Sequence, residues 1–211
     1  MIKNAGYTME SVKKWMRELL SALQHLNSMG EIHRDLNPRN LCIDEDKKLT
    51  LIGFSKARKV EGSSAATVKV GNVFYMAIEM QVEMKRAYDE KVDIWSLAVV
   101  LCEMLTGTKL FTWRNDGKEV KKQMIEYCEP VDDEVIQMVQ MLNPSNISGE
   151  SNKSKRVPDF CMLLKEMMGS NRSITLQDID NEPKLLDFID RTLQQKSRAR
   201  LVNLIEICEV F

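Results

Sequence analysis

The sequence predicts a mainly α fold of the α+β kind: a helical body carrying one small β-hairpin. Three observations predict it. Val12, Trp15, Met16, Leu19, Leu20, Leu23 and Leu26 recur at helical spacing and give one continuous apolar face. Residues 88–106 are apolar almost all round, as a helix buried at the centre of a lobe must be. Between them, 41–43 and 49–52 are short β-like runs separated by the polar turn Asp44-Glu45-Asp46-Lys47-Lys48. A chain of 211 residues can bury a sizeable core as one domain or one large lobe, and residues 1–211 are read as one domain without internal repeats.

The elements follow in order. Thr8 suits an N-cap, with Glu10 favourably placed in the first helical turn behind it. The first helix should end near Met29-Gly30, where Gly30 can take the left-handed C-cap conformation. Residues 59–70, rich in Ser, Thr and Gly, read as a mobile loop. The central helix should close at Gly107. Residues 143–155, rich in Asn, Ser and Lys with Pro144 and Gly149, read as a surface insertion. Residues 185–211 should give two helices joined around 194–200.

Bulk composition removes several function classes. Thirty Lys and Arg against 31 Asp and Glu leave a net charge of −1, so nothing calls for nucleic acid or an anionic membrane as partner. The apolar run 94–105 is too short to span a bilayer. Five cysteines, Cys42, Cys102, Cys128, Cys161 and Cys208, show no metal-type spacing, and an odd dispersed set fits a reducing compartment. The opening 1–6 has no apolar core of a signal peptide. The expectation is an intracellular protein, cytoplasmic or nuclear.

One stretch organises the rest: Glu31-Ile32-His33-Arg34-Asp35-Leu36-Asn37-Pro38-Arg39-Asn40-Leu41-Cys42-Ile43. It resembles the catalytic loop of a protein kinase, His-Arg-Asp-Leu-Lys-Pro-x-Asn, with Asn37 in place of the lysine. Further on, Leu51-Ile52-Gly53-Phe54-Ser55-Lys56-Ala57-Arg58 resembles Leu-x-Asp-Phe-Gly-x-Ala-Arg, with Gly53 for the aspartate and Ser55 for the glycine. Gly71-Asn72-Val73-Phe74-Tyr75-Met76-Ala77-Ile78-Glu79 resembles the segment ending in Ala-Pro-Glu, and Asp93, Trp95 and Ser96 match Asp-x-Trp-Ser-x-Gly. The resemblance runs from about residue 8 to the C-terminus. It implies the larger, helical C-terminal lobe of the protein-kinase-like fold, with the small N-terminal lobe absent. Within kinases it points to the MAP kinases, through 31–58, 88–111 and the insertion that follows.

The resemblance also implies roles. Asp35 stands where a kinase accepts the proton of the substrate hydroxyl, and Asn37 where a lysine steadies the γ-phosphate. Asn40 stands at a Mg²⁺ ligand and Asn40 and Leu41 on the nucleotide side, while the main Mg²⁺ ligand is replaced by Gly53. Arg34 is the phosphate-reading arginine and Thr67 the activation-loop candidate for phosphorylation, weighed against Thr67 being a solvated loop residue. Met76 replaces an arginine expected near the substrate pocket of MAP kinases. His33 and Phe54 are placed for an apolar spine, Asp93 for anchoring the loop, and Glu79 with Arg200 for an internal ion pair.

Only seven residues precede Thr8, and the chain contains no G-x-G that could cradle phosphates. Losing one preorganised transition-state contact costs about 10²–10³ in rate, and here several classes of contact are lost together. The expectation is therefore a catalytically inactive, MAP-kinase-like pseudokinase that binds proteins, MAP-kinase-pathway components or docking peptides, with no cofactor of its own. Two alternatives stand beside it. One is a conditional Ser/Thr kinase using ATP and Mg²⁺, resting on Asp35 and Asn40. The other is a truncated product of a kinase gene.

Overall fold

The structure, a computed structural model, describes residues 7–59, 70–81, 89–112 and 174–193, together with 120, 123, 124, 164, 167, 207, 210 and 211. Helix α1, Met9–Ser28, begins where the Thr8 hydroxyl accepts from the Ser11 amide. It buries Val12, Trp15, Met16, Leu19, Leu20, Leu23 and Leu26, the seven residues whose spacing predicts the face. Gly30 follows at φ 69°, and its amide donates to Asn27 O at 2.9 Å. Each fully buried Leu on that face contributes about 1.5–3 kcal/mol, which is what holds the helix, since propensity alone does not.

Two short antiparallel pairs follow. Strand β1, Glu31–Ile32, pairs with β4, Arg58–Lys59, in the register Glu31↔Lys59 and Ile32↔Arg58. Strands β2, Leu41–Ile43, and β3, Leu49–Leu51, form the hairpin, with Leu41 opposite Leu51 and Ile43 opposite Leu49. Three-residue strands do not stand alone in water. This hairpin rests on α1, where Trp15 Nε1 and Lys14 Nζ each donate to Lys47 O at 3.0 Å and Leu49 N donates to Glu18 Oε2 at 2.7 Å. Lys59 thus ends a strand, whereas the sequence reading put it at the head of a mobile loop. A two-residue strand whose partner residues lie 26 and 28 positions away carries no alternation to read. The remainder of that loop, 60–69, lies outside the described residues.

The short helix α2, Ile78–Gln81, leads towards α3, Lys91–Thr106, which buries 14 of its residues and ends at Gly107 with φ 73°. Trp95 stacks on Phe111 with centroids 6.2 Å apart. Helix α4, Leu176–Asp180, opens on a capping box between Thr175 and Asp178 and precedes α5, Pro183–Leu193. The core lies where α3 meets α1 on one side and α5 on the other. Tyr7 adds a tie to it, its hydroxyl donating to Met104 O at 2.8 Å. Burial, and then the nearby Glu103 charge, push the Tyr7 phenol up from its ordinary value. The insertion 143–155 and the junction 194–200 lie outside the described residues.

Candidate functional site

The loop between β1 and β2 is built around Asp93, in the first turn of α3. Its Oδ2 accepts from His33 N at 2.7 Å and its Oδ1 from Arg34 N at 2.9 Å. Arg34 sits at φ 64°, a left-handed conformation that costs a non-glycine residue about 1–3 kcal/mol. Two charge-assisted bonds, each worth about 1.5–3 kcal/mol, offset that strain. Burial raises the Asp93 carboxyl above its ordinary range, and the two amide bonds and the Arg34 charge pull the other way. The buried His33 ring is held at both nitrogens. Nε2 lies 3.0 Å from Ile52 O, and the Asp35 amide donates to Nδ1 at 3.2 Å. A carbonyl can only accept and an amide can only donate, so the proton sits on Nε2.

Beyond His33 the loop turns on two asparagines. Asn37, 3% exposed, donates to Asp35 O at 2.7 Å and to Asp35 Oδ1 at 3.1 Å. Its own Oδ1 accepts from Arg39 N at 3.1 Å, capping a single 3-10 turn that starts with Pro38. Asn40 Nδ2 donates to the same Asp35 carbonyl at 2.7 Å, and Asn40 O accepts from Ile52 N at 2.9 Å, tying the loop to the end of β3. Asp35, its carbonyl gripped twice, presents its carboxylate beside Lys56, whose Nζ stands 2.8 Å from Oδ2.

Gly53 lies directly against Asn40. Its backbone is left-handed, φ 83° and ψ 40°, and it caps the 3-10 turn Phe54–Lys56. A Cβ added there would lie 2.3 Å from Asn40 Oδ1 and 2.5 Å from Asn40 Cγ. The Asn40 amide therefore fills the place of any side chain at residue 53, and its bond to Asp35 O keeps it there. A second close approach is at Gly71, φ 114°, where a Cβ would lie 2.6 Å from Arg34 O. Only a glycine lets the chain ahead of Asn72 lie this near the loop.

The donor set does not suit Mg²⁺. A hard cation needs several oxygen ligands, usually including a carboxylate. Here residue 53 offers none, Asp35 is already paired with Lys56, and Asn40 brings only a neutral amide oxygen. Among the described residues no group of three or more His, Cys, Asp and Glu could hold a metal ion.

The sequence-derived residues converge in part. His33, Arg34, Asp35, Asn37, Asn40, Leu41, Gly53, Phe54 and Asp93 lie in or against one loop, joined by the bonds above. Phe54 meets the edge of His33 at 5.1 Å between centroids, yet stays 47% exposed, so its ring is not enclosed as an apolar spine would have it. Met76 is buried, and its carbonyl accepts from Gln81 Nε2 at 2.9 Å, leaving it inside the fold. Glu79 is half-buried on α2. Its expected partner Arg200, and Thr67, lie outside the described residues. Sequence reasoning missed Lys56 and Gly71, because a salt bridge across 21 residues and a backbone approach leave no local pattern.

A sequence model of the protein kinase domain matches residues 1–209. The chain belongs to the protein kinase family. Among its relatives, ribosomal protein S6 kinase alpha-3 of Homo sapiens is 37% identical over 156 residues, covering 70% of this chain and 20% of that protein. Mitogen-activated protein kinase 12 of Rattus norvegicus is 27% identical over 229 residues, covering 94% of this chain and 61% of that protein. The fold of this kinase-family chain is shared with the yeast RNA Pol II CTD kinase CTDK-1 complex, at TM-score 0.73 and 21% identity, covering 96% of this chain and 62% of that one. It is also shared with the CAK complex of Chaetomium thermophilum, at TM-score 0.68 and 22% identity, covering 96% and 58%. The chain thus spans from about a fifth to three fifths of the relatives it matches, and the architecture is that of part of a kinase fold. No helix among the described residues is long and apolar enough to cross a membrane.

Proposed function

We propose that this protein-kinase-like, MAP-kinase-like domain is a catalytically inactive pseudokinase, a protein-binding or regulatory module in kinase signalling. One observation carries the reading: the family's metal-binding aspartate is Gly53, and the Asn40 amide occupies the space its side chain would need. Nucleotide phosphates are handled through metal ions in this family, so a loop that cannot gather oxygen ligands has lost the main neutralising charge. Asp35 and Asn37 then serve the loop's own hydrogen bonds rather than proton transfer and phosphate binding. Proteins are the partners of such a module, and Ile52 and Phe54, 40% and 47% exposed beside the loop, offer apolar surface on that side. An intracellular setting goes with this reading. Phosphorylation of Thr67, read by Arg34, would be its regulatory input.

The second reading is a conditional Ser/Thr kinase. What favours it is the anchoring of Asp35, whose neighbours His33 and Arg34 are fixed by Asp93. Thermal unfolding with and without ATP and Mg²⁺ separates the two. A native-state ligand at 100 times its Kd adds about 2.7 kcal/mol of stability. The module reading expects one cooperative transition that saturating nucleotide leaves in place. A Mg²⁺-dependent rise of several degrees would overturn it in favour of the conditional kinase.

A further inference from the structure

Lys56 is tied to the loop at two adjacent residues. Its carbonyl accepts from Arg34 Nε at 2.6 Å, and its ammonium meets Asp35 Oδ2 at 2.8 Å. The turn that carries it is closed by Ala57 N donating to Phe54 O at 3.0 Å, so its backbone is placed before the side chain reaches out. The other carboxylate oxygen of Asp35 accepts from Asn37 Nδ2 at 3.1 Å, and a Cβ on Gly71 would lie 3.6 Å from it. The Asp35 side chain is left 13% exposed. Lys56 itself is 37% exposed, too open for the pair to count as a contact that holds the fold. What the pair does is positional. Each carboxylate oxygen already faces one donor of this chain, and with the side chain 13% exposed little of their remaining lone-pair capacity is open to a docking hydroxyl.

We propose that Lys56 is an internal counterion that closes the Asp35 carboxylate to a peptide hydroxyl. The inference rests on the module reading and deepens it, because it names what shuts the old catalytic face. The positive charge that Asn37 removes from the loop is restored from the next segment, but it is committed to Asp35 instead of to a phosphate. A docking hydroxyl would have to displace an ammonium whose backbone is clamped by Arg34.

Amine footprinting of the intact chain tests this. After brief acylation with N-hydroxysuccinimidyl acetate at neutral pH, peptide mass mapping gives the labelling rate of Lys56 against exposed Lys48. Lys56 should label several-fold more slowly than Lys48, and should approach the Lys48 rate in Asp35→Asn. Equal rates in the wild type overturn the proposal, and so does a slow Lys56 in both proteins. Should Asp35→Asn fail to fold, the reciprocal measurement decides. Carbodiimide coupling of glycinamide to Asp35 should be several-fold faster in Lys56→Met, and no increase overturns the closure. A slow Lys56 together with a Mg²⁺-ATP thermal shift would retire the module reading and leave the closure standing.

Discussion

The two halves of the loop are satisfied in different ways. From His33 to the Asp35 amide, main-chain groups are bonded to the buried Asp93 and to the His33 ring, which is itself fixed to Ile52. From the Asp35 carboxylate to Asn40, side chains do the bonding: Asn37 holds the Asp35 carboxylate and carbonyl, Asn40 the same carbonyl, and Lys56 the carboxylate, with Gly53 offering nothing. The first half is demanded by folding. A left-handed Arg34 and the amides of His33 and Arg34 must be compensated whatever the protein does. The second half carries no such demand: its side chains bond within the loop and to Lys56. Asn37 lies in this second half, and Gly53 faces it from beyond β3.

The largest effect should come from breaking the anchored half. Asp93→Ala removes two charge-assisted bonds and leaves Arg34 strained, so urea unfolding should show a loss of about 3–5 kcal/mol. Asp93→Asn, which keeps an acceptor oxygen, should lose less. If both unfold at the wild-type midpoint, the contrast between the halves is wrong. A smaller effect is expected on the other side. Gly53→Asp puts a side chain at φ 83° and against Asn40, so it should destabilise by about 1–3 kcal/mol and bring no Mg²⁺-dependent stabilisation. A Mg²⁺-dependent gain in that variant would show that the second half can still be reopened.

The smallest effect belongs to a control remote from the loop. Asp178 closes its capping box with Thr175, and the backbone and side-chain bonds of Thr175 hold its carboxyl below the ordinary range. A folded value below the unfolded one means the contribution is present above the unfolded value and lost as pH falls through the folded one. The gap between wild type and Asp178→Asn in thermal unfolding should therefore be visible at neutral pH and vanish in strong acid. A gap that grows on acidification would contradict the cap.

How much was legible follows from what each element depends on. Helices α1 and α3 were readable because a stripe of burial, or burial all round, writes itself into 3.6-residue spacing. The site was legible where a residue's partner sits in a recognisable stretch, as with His33, Arg34 and Asp93. It was not legible where the contact depends on the path of the backbone. Lys56 reaches Asp35 because Arg34 fixes a carbonyl, and Phe54 stays half-exposed because the His33 ring meets only part of it. The pairing of β1 with β4 is of the same sort, since two residues cannot display a period.

The tip of the hairpin has a further consequence. Residues 44–48 are polar and exposed, the profile of a place where extra residues, a tag or new chain ends are usually accommodated. Yet Lys47 O receives both Trp15 and Lys14 from α1, and Lys47 itself is left-handed at φ 57°. Lengthening this turn would carry that acceptor away from α1 and leave the N–H of buried Trp15 without its acceptor. For anyone grafting a reporter onto this protein, an exposed site is therefore a poor choice here, because its main chain is already part of the seam between hairpin and helix.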